Sequence, residues 1–177
     1  MANIIFLDVD GVLNGRGYYK SMAYKRNVKK TGYDMSNQIC RKNLFWVGIL
    51  CKLTKSQVVL SSTWKFGWNE DGTVKKRKGS EMWDTDKLFR KFGVNIISIT
   101  PRGEIYLKNQ HEINKDKLNK LCSREAFQGL EETRDKDFVI KYCRGTQILK
   151  WIEENNFTGN FIIIENNLLP ILFLNND

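Results

Sequence analysis

Hydrophobic and polar positions alternate along this chain in blocks whose lengths suit strands and helices. Short apolar runs that end in polar residues are typical of buried parallel strands, and apolar positions three or four residues apart are typical of helices. Strands are predicted at 4–7, 57–62, 94–100, 160–164 and 171–174. Helices are predicted at 39–54, 81–92 and 146–156. This alternation predicts an α/β fold, a Rossmann-like and mostly parallel sheet with helices on both faces.

Three polar segments lie between these elements. Residues 15–37 are predicted to form a loop or flap, and residues 66–80 an exposed segment. Residues 102–141 are strongly charged, with helix-like stretches near 113–121 and 123–132. We interpret 102–141 as an insertion packed on the core of a single domain with inserted flap or cap segments.

Two aspartates at the end of the first strand carry the clearest chemical signal. Asp8 and Asp10 follow the apolar run that ends at Leu7, and their i, i+2 spacing directs both carboxylates to one side. Gly11 permits a sharp turn and allows backbone N–H groups to approach an anion. Because two crowded acids repel unless a cation or a shared proton relieves them, this pair suits phosphoryl chemistry at a divalent metal ion.

Polar side chains also follow two other predicted strands. Ser61, Ser62 and Thr63 come after the second strand, and Glu165 and Asn166 after the fourth. Ligands of open α/β sheets gather where the strands end at their carboxyl edge. The sequence therefore predicts that these residues share one pocket with the aspartates.

The formal charge of +9 favours anionic partners, and it is concentrated in two places. Six basic residues and no acid lie between Arg16 and Lys30, with three tyrosines interleaved, and residues 75–78 are all basic. One interpretation is a solvated surface that keeps the protein in solution. The other is an electrostatic funnel beside the site, with tyrosines available to stack on bases.

Cysteine usage and hydropathy bear on location. The four cysteines have no zinc-like spacing and are interpreted as reduced thiols of an intracellular, cytoplasmic protein. The apolar stretch 161–174 is interrupted by polar residues and is too short to span a bilayer, so no membrane partner is expected.

The motifs taken together resemble a known family. The run Asp8-Val9-Asp10-Gly11-Val12 is similar to the first motif of the haloacid dehalogenase (HAD) superfamily of phosphohydrolases. Val58-Val59-Leu60-Ser61-Ser62 resembles its second motif, Arg144 at a helix start its third, and Glu165 its fourth. The set is most similar to HAD domains associated with RNA repair in phage and bacteria. The resemblance covers most of residues 3–100 and 142–174, and the insertion 102–141 has no recognised counterpart. Together with the chain length, it implies a single HAD-like domain over residues 1–177.

The resemblance also implies roles for individual residues. Asp8 would be the nucleophile that forms an aspartyl-phosphate, and Asp10 the general acid and base. Mg²⁺ would be held by Asp8, Asp10 (through its backbone carbonyl) and Glu165.

Phosphate would be bound by Ser62, with Ser61 as the near alternative, and by the backbone at Gly11. Arg144 would balance the negative charge of the transition state, with Lys141 as its competitor.

Two functions follow from this resemblance. The first is a Mg²⁺-dependent phosphatase acting on a phosphomonoester of a nucleotide or nucleic-acid end, with no obligate protein partner. The family usually has two acids in its fourth motif, whereas this chain has Glu165-Asn166, which leaves less negative charge for the metal. The alternative is therefore a weakly active or inactive HAD-fold protein that sequesters a nucleotide, as a phage anti-defence protein would. A domain that grips nucleic acid through its basic blocks is a third possibility.

Overall fold

The structure, a computed structural model, describes residues 2–31, 35–75, 82–101, 104–107, 127–132, 138–142 and 144–166. The strands are β1 (Asn3–Leu7), β2 (Ser56–Leu60), β3 (Ile96–Ile99), β4 (Glu104–Leu107), β5 (Phe127–Glu132), β6 (Phe138–Tyr142) and β7 (Asn160–Ile164). The helices are α1 (Arg16–Lys20), α2 (Met22–Thr31), α3 (Arg41–Thr54), α4 (Met82–Lys91) and α5 (Arg144–Glu154). Two 3-10 turns cover Met35–Gln38 and Thr63–Gly67.

The chain forms two compact units, one of Met1–Ile99 with Thr158–Asp177 and one of Thr100–Phe157. The first contains a parallel sheet with the strand order β3-β2-β1-β7. Leu7 of β1 pairs with Leu60 of β2 on one side and Ile164 of β7 on the other. The predicted α/β fold with a parallel, Rossmann-like sheet is confirmed.

β1 lies between β2 and β7, and its apolar side chains are buried. Ile4, Ile5, Phe6 and Leu7 are all buried, as expected for a strand covered on both faces. α3 contacts β2 and buries Leu44, Val47, Gly48 and Cys51. Burial raises the pKa of the Cys51 thiol, so this cysteine is a core residue with little thiolate character.

The segment after the second strand is less exposed than predicted. Trp68, Gly72 and Val74 are buried, and a β-bridge joins Trp68 to Val74. The Trp68 ring packs edge-on against Phe89, with ring centroids 6.4 Å apart. The prediction of an exposed segment is therefore wrong for these three residues, whereas Asn69 and Glu70 between them are exposed. Residues 76–80 lie outside the described residues.

Within the same segment, Asp71 stabilises a turn. The Thr73 hydroxyl and then the Thr73 backbone N–H donate to its carboxylate and hold the pKa of Asp71 below its usual value.

Two further predictions of secondary structure are wrong. A loop or flap was predicted for residues 15–37, but α1, α2 and a 3-10 turn occupy most of this range. Residues 127–132, predicted as part of a helix-like stretch, form β5, which pairs antiparallel with β6. The helix-like stretch 113–121 and the short strand 171–174 lie outside the described residues.

The second unit contains an antiparallel sheet with the order β4-β6-β5 and the helix α5. The single domain and the packing of 102–141 on the core stay predictions. No helix in the described part of the chain has both the length and the apolar character needed to cross a membrane.

Candidate active site

Three polar residues lie side by side at the carboxyl edge of the parallel sheet. Ser61, Asp8 and Glu165 each follow one member of the paired row Leu60, Leu7 and Ile164. The Ser61 N–H donates to the Leu7 carbonyl at 2.8 Å, and the Asp8 N–H donates to the Ile164 carbonyl at 2.9 Å. These two bonds continue the strand ladder by one residue and hold the three polar positions next to one another.

Asp8 occupies the centre of this row and is only 5% exposed. Its Oδ1 accepts a hydrogen bond of 3.3 Å from the backbone N–H of Asp10. The nucleophile predicted from the sequence is thus a buried carboxylate at the end of the central β1, and its own loop orients it.

Asp10 is exposed, and three side chains hold its carboxylate. The Trp64 indole Nε1 donates to Oδ1 at 3.0 Å, and Asn14 Nδ2 donates to the same atom at 2.9 Å. The Thr63 hydroxyl donates to Oδ2 at 2.8 Å. Asp10 therefore connects the loop after β1 to the turn after β2.

Sequence analysis placed Thr63 in one pocket with the aspartates, but it did not identify Thr63, Trp64 or Asn14 as hydrogen-bond partners of Asp10. Trp64 was conspicuous as a tryptophan beside the second motif that could line a pocket, and Asn14 lies two residues after the first motif. Asn14 is 4% exposed, and its Oδ1 accepts from the Gly11 N–H at 2.8 Å, so it also shapes the loop.

Gly11 has a φ of +80°, a conformation that glycine adopts without strain. A Cβ added at Gly11 would overlap the side-chain amide of Asn166. The residue after Glu165 therefore packs directly on the loop of the first motif, which brings the first and fourth motifs together.

The two serines after β2 differ in their hydrogen bonding. Ser62 is buried, and its Oγ accepts a long bond of 3.5 Å from the Trp64 N–H, capping the 3-10 turn. Ser61 Oγ is also buried, but it has no hydrogen-bond partner among the described residues. Of the two hydroxyls, only that of Ser62 has a hydrogen bond among the described residues. Ser61 lies in the same row as Asp8, so its hydroxyl is a second candidate for binding phosphate.

Lys65 is a residue of this site region that sequence analysis overlooked. It lies in the 3-10 turn after β2 and is only 5% exposed. A buried ammonium group is costly unless anionic or polar groups compensate it. In the sequence Lys65 ends the run Leu-Ser-Ser-Thr-Trp-Lys at 60–65, which is part of the resemblance to HAD domains, but no role was assigned to it.

The predicted third motif lies in the other unit. Arg144 is the first residue of α5, as predicted, and it is half-buried. Lys141 lies in β6. Their approach to Asp8 stays a prediction.

The residues at the sheet edge suit a Mg²⁺ ion that takes only a few of its ligands from the protein. Among the described residues there is no group of three or more His, Cys, Asp or Glu side chains that could hold a metal ion. Mg²⁺ does not need one, because one or two carboxylates together with phosphate and water complete its octahedral shell. Asp8 and Glu165 are neighbours in the polar row, and the Asp10 carbonyl belongs to the same loop, so these groups supply a suitable oxygen donor set.

Comparison with known proteins identifies a family for this chain. The family model described as the HAD domain in Swiss Army Knife RNA repair proteins matches residues 4–170. No curated protein and no solved structure matches the chain significantly. Family membership supports a HAD-type, phosphatase-like function in RNA repair. The chain belongs to the HAD domain family of Swiss Army Knife RNA repair proteins.

Proposed function

We propose that this chain is a Mg²⁺-dependent phosphatase that hydrolyses a phosphomonoester of a nucleotide or a nucleic-acid end. One observation carries the proposal. Asp8 is buried at the end of the central strand, and the Asp10 carboxylate beside it is oriented by side chains of both the loop after β1 and the turn after β2.

Asp8 is the proposed nucleophile. Its carboxylate attacks phosphorus, the bond to the leaving oxygen breaks, and an aspartyl-phosphate forms, so one difficult hydrolysis becomes two easier steps. The hydrogen bond from the Asp10 N–H to Oδ1 helps to orient this carboxylate.

Asp10 is the proposed acid and base. It donates a proton to the leaving oxygen in the first step and accepts one from water in the second. Its exposure suits this task, because proton exchange with solvent must reset the group after each cycle. Its three hydrogen bonds fix the carboxylate in one orientation, which favours proton transfer along a defined line.

Phosphate oxygens are proposed to bind the Gly11 loop and a serine hydroxyl. Ser62 is the residue inferred from the motif, and the unpartnered hydroxyl of Ser61 supports its neighbour for the same task. Arg144 is proposed to balance charge in the transition state. A Mg²⁺ ion held by Asp8, Glu165 and the Asp10 carbonyl would lower the repulsion between the carboxylate and the phosphate.

The Asp8→Asn substitution tests the proposal. It keeps the shape of the side chain but removes the nucleophile, so we expect hydrolysis of a generic aryl phosphate to fall roughly a thousandfold or more. Acid-quenched wild-type protein should carry covalent phosphate that the variant lacks.

Asp84→Asn is the matched control, since it makes the same chemical change at an exposed aspartate on α4. Its turnover should equal that of the wild type. Unchanged turnover in Asp8→Asn would remove Asp8 as the nucleophile.

Nucleotide capture without turnover is the second candidate, and Asn166 supports it. A neutral amide packs on Gly11 where the family usually has an acid, which lowers the negative charge available to a metal ion. Incubating protein, Mg²⁺ and a phosphorylated nucleotide and then denaturing the protein separates the two functions. Intact nucleotide would favour capture, and free phosphate would favour hydrolysis.

A further inference from the structure

A cavity of about 500 Å³ opens beside the loop of the candidate active site. α1, α2 and the first turn of α3 line it, and its polar lining includes Tyr18, Ser21, Asn27, Arg41, Lys42 and Asn43. Its volume lies within the range usual for ligand sites. Neither the first motif nor the second contributes to it.

The cavity adjoins the active-site loop directly. Gly15, which lines the cavity, lies so close to that loop that a Cβ on it would come within 3.3 Å of the Gly11 carbonyl oxygen. Asn43 Nδ2 donates to the Val12 carbonyl at 2.8 Å. A ligand that fills the cavity therefore reaches the same loop that carries Asp10.

The charge around the cavity is positive. Among the described residues that line it, none carries a carboxylate, while Arg41 and Lys42 are exposed at its edge. The positive surface continues beyond the cavity over α1 and α2, which contain six exposed cations: Arg16, Lys20, Lys25, Arg26, Lys29 and Lys30. Residues 15–31 and 35–43 contain no acid. A single small anion would use only part of this surface, whereas a polyanion could follow it.

Three tyrosines lie between these cations, and one of them, Tyr18, lines the cavity. Tyr18, Tyr19 and Tyr24 pack on one another, with ring centroids 5.1 to 6.0 Å apart. Tyr18 also donates from its hydroxyl to the Asn37 carbonyl at 2.8 Å. Burial raises the pKa of Tyr18 above its ordinary value, so the phenol stays neutral and the surface keeps its positive charge. The rings thus hold α1 against α2.

We propose that this cavity and the cations of α1 and α2 bind the sugar-phosphate backbone of a single nucleic-acid strand whose end enters the active site. The inference rests on the proposed function for the orientation of that strand. It adds a binding site that depends on backbone phosphates next to the scissile one and does not require the terminal phosphate itself. Arg41 and Lys42 would contact phosphates, and the amides and hydroxyl of the cavity would contact sugar groups.

Binding of an oligonucleotide that cannot be hydrolysed tests the site separately from catalysis. The probe is a single-stranded RNA of roughly ten nucleotides with hydroxyl groups at both ends, a length typical of such sites. For Arg41→Gln/Lys42→Gln we expect roughly tenfold weaker binding, and a log-log salt slope smaller in magnitude by about 1.4, since each single-strand phosphate contact contributes about 0.7.

The matched control is Lys52→Gln/Lys91→Gln, which lowers the net charge equally at exposed positions that do not line the cavity. It should bind the RNA with nearly wild-type affinity and hydrolyse an aryl phosphate at the wild-type rate. Equal weakening in both double variants would overturn the site and leave only general electrostatic attraction. Equal affinity of the wild type for poly-glutamate of the same length would also overturn it.

Alkylation of Cys40 gives a second measurement at the cavity itself. Cys40 lines the cavity and is partly exposed. The RNA should slow its reaction with iodoacetamide, followed by mass spectrometry of the peptide that contains it, and an unchanged rate at saturating RNA would contradict the proposal. A wild-type protein that binds RNA but releases no phosphate from an aryl phosphate would contradict the proposed phosphatase and leave this site intact.

Discussion

At the scale of single residues, Asp10 is the feature on which the candidate site depends. The sequence supplied both aspartates, because an apolar run followed by acids at i and i+2 has few other structural explanations. It did not supply Trp64 or Thr63 as their partners, because side chains more than 50 positions apart are joined only by the sheet register. The sequence also left open which of Ser61 and Ser62 binds phosphate. The two differ in hydrogen bonding, because Ser62 Oγ accepts from the Trp64 N–H and Ser61 Oγ has no partner among the described residues.

Replacing Trp64 with phenylalanine should impair turnover through Asp10. The change keeps most of the buried ring and removes the Nε1 donor, so we expect kcat for an aryl phosphate to fall roughly ten- to a hundredfold as Asp10 loses its orientation. Because a bond that favours the ionised carboxylate is lost, the pH above which activity declines should move upward.

Trp46→Phe serves as the control, since Trp46 is 58% exposed on α3 and packs on Phe45. Its kcat and pH profile should match those of the wild type. A lower kcat in Trp64→Phe with an unmoved pH profile would mean that Trp64 only supports the fold.

At the scale of elements, predictions succeeded where burial determines the structure and failed where other contacts do. β1 was predictable because its apolar run has to be covered on both faces. α1 and α2 were missed because their sequences lack an apolar stripe and a tyrosine cluster holds them instead. β5 was missed because its own sequence does not specify a strand, whereas its antiparallel pairing with β6, the next strand in the chain, does.

Contact between the loop after β1 and the end of β7 gives a prediction for Gly11. Gly11→Ala places a methyl group on the Asn166 amide and forces a non-glycine residue to a φ of +80°. We expect a loss of about 1–3 kcal/mol in the free energy of unfolding, measured by urea denaturation.

Gly17→Ala is the comparison, because nothing lies within 4 Å of a Cβ at that position in α1. It should be neutral or slightly stabilising, as alanine favours helices more than glycine does. If Gly11→Ala is as stable as the wild type, the packing of Asn166 on the loop is not a constraint. Partial rescue by Gly11→Ala/Asn166→Gly would assign part of the cost to the amide.

At the scale of the whole molecule, the polar row at the sheet edge and the cations of α1 and α2 occupy two different regions of the first unit. The polar row lies at the sheet edge, where we propose the chemistry, and the cations lie on α1 and α2, where we propose that the nucleic acid binds. The fold class and the positions of the strand ends followed from sequence pattern, while the cavity followed only from the way α1, α2 and α3 meet.

Removing divalent metal should separate these two regions. EDTA should abolish hydrolysis of an aryl phosphate, because the carboxylates then meet the phosphate without a compensating cation. It should leave binding of the hydroxyl-ended RNA unchanged, since backbone binding depends on lysine and arginine. Full hydrolysis in EDTA would exclude a metal requirement.

The pairing of β1 with β7 has a consequence for biosynthesis. During synthesis, β1 cannot pair with β7 until the chain has grown by more than 150 residues, because Asn3 pairs with Asn160. Nascent or prematurely terminated polypeptides that stop before β7 therefore lack Glu165 and the amide on Gly11. On the proposed mechanism we expect such fragments to be inactive, although they contain Asp8 and Asp10.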